Sequence, residues 1–193
     1  NAIDLLQSLI VRHEGFAVDI GDIGTGKITL CRALLDQTDK TTFTALLLNP
    51  FLSEEDLLKA ILQDLGVLSR NVGSAYPSSA SRHPSKQDLI NTLSDFLLSL
   101  VPLNARAVLI IDEAQNLPLH LLEQIRILSN LETDTEKLLQ IILVGQLGLG
   151  SLLRSPELRQ LDQRVSIRYQ LKPLGSEEIT AYVAHRLASA YGT

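Results

Sequence analysis

Short apolar runs alternate along the chain with longer stretches in which apolar residues recur every three or four positions. The runs lie at 15–21 (GFAVDIG), 42–49 (TFTALLLN), 107–111 within ARAVLIIDEAQN, 138–146 (LLQIILVGQ) and 164–171 (RVSIRYQL). Each predicts a strand. Because the apolar runs are nearly continuous rather than alternating, they predict strands buried on both faces, which is the pattern of a parallel sheet covered by helices. Helical spacing occupies 2–11, 27–35, 53–65, 86–100, 119–131, short pieces over 149–161, and 176–191. Ser53 predicts an N-cap for the third of these, with Glu54, Glu55 and Asp56 at its positive end. Residues 70–85 are rich in serine, glycine and proline and predict an exposed loop. Strand and helix in alternation define an α/β fold with a parallel sheet.

Composition narrows the classes. With 45% hydrophobic residues in 193, the chain holds enough apolar surface for a packed core and too much for disorder. Its 17 basic and 22 acidic residues give a net charge of −5, which weighs against a dedicated nucleic-acid surface. A single cysteine, Cys31, forms no internal disulfide and reads as a small core residue on the second helix. His13, His83, His120 and His185 are scattered, so no metal cluster is expected from them. No apolar run is long enough to span a membrane. The abrupt start at Asn1 and the absence of methionine suggest a segment excised from a longer protein.

Candidate chemistry sits at the ends of two strands. In GDIGTGKITL, Gly21, Gly24 and Gly26 let the backbone curl so that several N–H groups point inward, and a helix starting at Lys27 adds its positive end. Lys27 would reach the β- and γ-phosphates of a nucleotide. The final position of the usual pattern, a hydroxyl that holds magnesium, is filled by Ile28. Thr29 is a poor substitute, since one step along a helix rotates the side chain by about 100°. The second strand end is VLIIDE, residues 108–113. In nucleotide hydrolases the first acid of such a pair serves the magnesium shell and the second polarises the attacking water. Both motifs follow buried strands in the expected order. Gln146, after the fourth strand, reads either as a γ-phosphate or water contact or as a turn residue. Arg159 and Arg164, before the fifth strand, read either as an arginine finger reaching a neighbouring subunit or as a solvated helix end.

Five stretches carry a family resemblance: GFAVDIGDIGTGKITLCRALL, LLLNPFLSEEDLLKAILQDLGV, VLIIDEAQNL, LEQIRILSNLETDTEKLLQIILVGQ and SPELRQLDQRVSIRYQLKPL. Together they resemble the AAA+ ATPase domain of the general secretion pathway protein A (ExeA-like) family over nearly the whole chain. The resemblance implies a P-loop fold of the additional-strand type, with five parallel strands, flanking helices and a helical lid. The core would span 1–173 and the first lid helix 174–193. The strand ending at Asp112 is expected to neighbour the one ending at Ile20. By resemblance, ATP or ADP is cradled by Gly21, Asp22, Ile23, Gly24, Thr25, Gly26, Lys27, Ile28 and Thr29. Asp112 holds Mg²⁺ through water, Glu113 is the catalytic acid, Gln146 the sensor, and Arg164 or Arg159 the finger. Leu147 and Gly148 stand where the family usually has Pro-Glu. The implied setting is the cytoplasmic face of a bacterial inner membrane. There the ATPase domain self-associates and works with a partner inner-membrane protein to place the secretin of type II secretion. The group also includes pilus-biogenesis and exopolysaccharide-locus relatives. Membrane contact would run only through segments outside this chain, and no nucleic acid is expected. Two other readings share the fold: an ATPase assisting DNA transposition, and a nucleotide-binding switch with little hydrolysis. A two-lobed helicase, suggested by DEAQ, does not fit within 193 residues.

Overall fold

The computed structural model describes residues 16–22, 27, 41–48, 53–69, 84–134 and 136–171. The helices expected over 2–11, 27–35 (apart from Lys27) and 176–191, the lid boundary near 173 and almost all of the serine-rich loop lie outside the described residues.

Five strands form one parallel sheet. They are β1 (Phe16–Gly21), β2 (Thr42–Leu47), β3 (Arg106–Ile111), β4 (Leu139–Gly145) and β5 (Ile167–Leu171), in the spatial order β2-β3-β4-β1-β5. The helices are α1 (Glu54–Asp64), α2 (Lys86–Leu100), α3 (Leu119–Leu128), α4 (Leu147–Leu153) and the single turn α5 (Arg159–Asp162). The expected α/β architecture is present, and all five expected strands are found within a few residues of their expected bounds.

Burial along the strands explains the order. Every residue of β4 is buried, as are the last five of β3, whereas β2 buries only Ala45 and Leu47 and β5 alternates between partly covered and exposed positions. A strand apolar on both faces must be flanked on both edges and covered on both sides, so β3 and β4 take the interior. This corrects the expected adjacency of the two motif strands. β4 lies between β3 and β1, pairing Ile111 with Leu143 on one side and Ile20 with Gly145 on the other. Period-two alternation then sends Leu109 and Ile111 to one face of the sheet and Val108 and Ile110 to the other.

The larger face is covered by helices whose apolar positions repeat with helical spacing. On α2, Leu89, Leu93, Leu97 and Leu100 are buried in one stripe. On α1 the buried residues are Leu57, Leu58, Ile61 and Leu62. Each helix starts where a serine satisfies free backbone N–H groups. Ser53 Oγ accepts from Asp56 N at 3.1 Å, and Ser85 and Asp88 bond reciprocally as a capping box. Such a cap contributes about 1 kcal/mol. Edge strand β2 is also guarded, because its Leu46 N–H donates to Asp64 Oδ2 at 3.0 Å from the end of α1. The third described helix stops short of the expected 131. Ser129 Oγ donates to Arg126 O at 2.6 Å, and the chain then turns so that Leu138 N bonds Leu131 O at 3.0 Å.

Candidate nucleotide site at the carboxyl edge of the sheet

All strands are parallel, so their carboxyl ends share one edge, and crevices at this edge are where open α/β sheets bind ligands. Gly21 and Asp22 leave β1 there. Asp112 and Glu113 leave β3, and Gln146 leaves β4. Because β4 is the strand between, Gln146 stands between the glycine turn and the acidic pair. Lys27, in helical backbone, is 7% exposed and reaches back to the end of β1. Its Nζ donates to Gly21 O at 2.9 Å and Asp22 O at 2.8 Å. Carbonyls hold the ammonium in place of an anion. Ile23, Gly24, Thr25, Gly26, Ile28 and Thr29 lie outside the described residues.

Asp112 extends β3 by one ladder bond, its N–H donating to Leu47 O at 2.9 Å. The side chain is buried, and among the described residues Oδ1 has no hydrogen-bond partner. A buried carboxylate oxygen without a donor is costly unless something cationic or protic meets it. Burial accordingly pushes the Asp112 carboxyl above the ordinary carboxylate range. A hydrogen bond from the backbone at Glu113 pulls it down, the Glu113 charge raises it, and the Lys27 charge lowers it. The orphaned oxygen fits the water shell of a hydrated Mg²⁺. On the sequence pattern, the other side of that shell would face Ile28, which offers no oxygen.

Glu113 adopts the left-handed conformation, φ 49° and ψ 38°, which costs a non-glycine residue about 1 kcal/mol or more. The kink directs its carboxylate toward β4. Gln146 Nε2 donates to Glu113 Oε2 at 3.1 Å, and Gln115 Nε2 donates to the same oxygen. Gln115 Oε1 in turn accepts from Gln146 N at 3.1 Å. Sequence reasoning missed Gln115. Its letter in DEAQ was visible, but its role depends on β3 and β4 being neighbours, which periodicity does not encode. Gly145 was missed for the same reason. A Cβ there would stand 2.6 Å from Gln115 Oε1 and 2.8 Å from Leu149 Cδ2.

The two arginines are elsewhere. Ser166, two residues after Arg164, bonds Phe16 O at the start of β1, so Arg164 lies at the amino edge of the sheet, opposite Lys27. Arg164 Nη1 donates to Ser129 Oγ at 3.3 Å and, among the described residues, meets no carboxylate. Lys137 is close enough that burial and the Arg164 charge together lower its ammonium below the usual lysine range. Arg159 opens α5 and is exposed. Leu147 and Gly148 form the first turn of α4, with Gln146 as its N-cap residue. Proline and an acid suit that turn, so the departure from the family pattern falls at a helix start.

Lys27 and an acidic pair at the carboxyl edge of a five-stranded parallel sheet fit a nucleotide-binding ATPase fold, and the chain belongs to the AAA domain family, whose family model matches residues 11–153. It is 43% identical over 176 residues to general secretion pathway protein A of Aeromonas hydrophila, covering 91% of this chain and 30% of that protein. The chain therefore spans less than a third of that relative's length. In fold it is similar to the Cdc6 protein of Pyrobaculum aerophilum, with TM-score 0.69, 18% identity, and coverage of 97% of this chain and 48% of that one. It is also similar to the ORC2 protein of Aeropyrum pernix, with TM-score 0.68, 16% identity, and coverage of 97% and 50%.

Proposed function

We propose that this chain is a nucleotide-binding AAA+ domain that binds ATP or ADP and hydrolyses ATP slowly, in support of assembling a bacterial type II secretion system or a related pilus or exopolysaccharide system. The observation that carries the nucleotide reading is the convergence of Lys27, Asp112, Glu113 and Gln146 at one edge of the sheet, with Asp112 Oδ1 buried and unpartnered. The secretion reading is supported by the similarity to general secretion pathway protein A. The setting is the cytoplasmic face of the inner membrane, reached through chain segments beyond this one. Among the described residues no helix is long and apolar enough to cross a membrane.

In this reading Lys27 leaves its two carbonyl partners for the β- and γ-phosphates, while the loop N–H groups bind the phosphate oxygens. Asp112, through water, would hold Mg²⁺, which would supply charge neutralisation at the phosphates, while Ile28 adds no oxygen to that shell. Glu113 orients the attacking water and accepts its proton. Gln146 holds the Glu113 carboxylate and faces the γ-phosphate position. Arg164, which meets no carboxylate among the described residues, serves a neighbouring copy of the domain, with exposed Arg159 as the second candidate for that role.

Ile28 favours a second emphasis, a nucleotide switch with weak turnover, because phosphate binding does not require residue 28 and magnesium binding does. Nucleotide affinity and turnover, measured with and without magnesium for this chain and for Ile28→Thr, decide between the two. The expected result is nucleotide binding in both and a gain of about 10-fold or more in magnesium-dependent turnover with threonine, the range of a lost charge-assisted contact. Full turnover in the Ile28 chain, unchanged by the substitution, would overturn the switch.

A further inference from the structure

We infer that Gln115 is a positioning residue that fixes the Glu113 carboxylate against the end of β4; the inference rests on the nucleotide-hydrolysing reading of this site. Three bonds form a closed ring: Gln115 Nε2 to Glu113 Oε2, Gln146 Nε2 to Glu113 Oε2, and Gln146 N to Gln115 Oε1. Both ends of the Gln115 amide are used, so the side chain has one orientation in which all donors and acceptors match. The short turn Ala114–Asn116 holds it there, with Asn116 N bonding Glu113 O at 2.9 Å.

The ring accounts for two otherwise costly features. Glu113 is left-handed, a conformation that persists when surrounding bonds over-determine it. Position 145 is glycine, and any side chain there would strike the Gln115 carbonyl. The ring also divides the Glu113 carboxylate. Oε2 receives both amides, whereas Oε1 has no partner among the described residues and is free to accept from a water. Among the described residues Gln115 bonds Glu113 and Gln146 and no residue of the phosphate loop, so it acts through those two. Its loss lets the carboxylate rotate away from the water without removing a nucleotide contact.

The test uses the 193-residue chain, alone and with Ile28→Thr, and the variant Gln115→Met, which keeps the length and volume of the side chain without its hydrogen bonds. The first readout is the side-chain amide resonances of Gln146 in the nucleotide-free protein. They shift in Gln115→Met and in Glu113→Ala if the ring exists, and their insensitivity to both substitutions overturns the inference. The second readout is turnover. Gln115→Met is expected to lower kcat about 10-fold with KM for ATP unchanged, and to cause no further loss in a Glu113→Gln background. An unchanged kcat, or a loss confined to KM, also overturns it. Should neither the parent chain nor Ile28→Thr turn over ATP, the hydrolytic reading fails, and the resonances decide separately whether Gln115 holds Glu113.

Discussion

The two edges of the sheet present opposite electrostatic problems. At the carboxyl edge, Lys27, Asp112, Glu113 and Gln146 are brought together from three strand ends, with the lysine turned inward onto carbonyls and one Asp112 oxygen left without a donor. At the amino edge, Arg164 and Lys137 lie near each other as like charges, and Arg164 reaches a serine hydroxyl in place of an acid. One edge is short of an anion and a cation in defined places. The other holds Lys137 paired with Glu132 and an Arg164 that meets no carboxylate among the described residues. Under the proposed function, the amino edge of one copy would supply a cation to the carboxyl edge of another. That is why an arginine so far from Lys27 in its own chain remains a candidate for the same reaction.

The largest effect that could break this comparison is on turnover. In the Ile28→Thr background, Arg164→Ala is expected to lower ATP turnover by about 10³-fold, the scale of a lost arginine finger, with nucleotide affinity unchanged. Mixing Arg164→Ala with Glu113→Gln should restore part of the rate, because each copy then supplies the group the other lacks. Mixtures no more active than either variant would place the arginine outside the reaction, and an Arg159→Ala series would show whether the exposed neighbour serves instead.

A smaller effect concerns binding at the opposite edge. Lys27→Ala removes one charge-assisted contact to phosphate, worth about 1.5–3 kcal/mol, so titration calorimetry should show affinity for ADP falling about 10- to 100-fold. Equal affinity in the variant would mean that the lysine stays on Gly21 O and Asp22 O when nucleotide is bound.

The smallest concerns stability. Burial raises the Asp112 carboxyl in the folded state, so the ionised form is favoured more in the unfolded chain. The stability this group gives is therefore present below its unfolded range and lost as pH rises through the folded value. In the chain free of metal and nucleotide, Asp112→Asn should raise the melting temperature near pH 7 by about 2–4 °C, equivalent to roughly 1 kcal/mol. The gain should shrink as pH falls through the raised Asp112 value toward the ordinary carboxylate range, because protonation of the parent carboxyl removes the penalty. A variant less stable than its parent at neutral pH would show that Asp112 is already compensated.

Local features of the fold were legible in the sequence, and the assembly of those features was less so. The bounds of α2 follow from Ser85 and the leucine stripe, and β4 follows from an unbroken apolar run. Both depend on neighbours in sequence. The place of β4 between the two motif strands depends on which strand is covered on every side, a property of the whole sheet. The placement of Lys27, Asp112, Glu113 and Gln146 at one edge of the sheet was legible because each follows the end of a recognisable strand. Gln115 and Gly145 gain their meaning from contact across β3 and β4. The early end of α3 turned on Ser129 bonding backwards to Arg126 O, a local competition that helical spacing does not register.

The crowding at Gly145 also constrains the order in which this protein can change. Alanine at 145 meets Gln115 and Leu149 at once, so as a single step it breaks the ring around Glu113. After Gln115 has been replaced by a shorter residue, half of that obstacle is gone and the same alanine costs less. The two positions are thus epistatic, with position 115 permissive for position 145. In a library mutated at both sites, larger residues at 145 should survive selection for folding chiefly alongside small residues at 115.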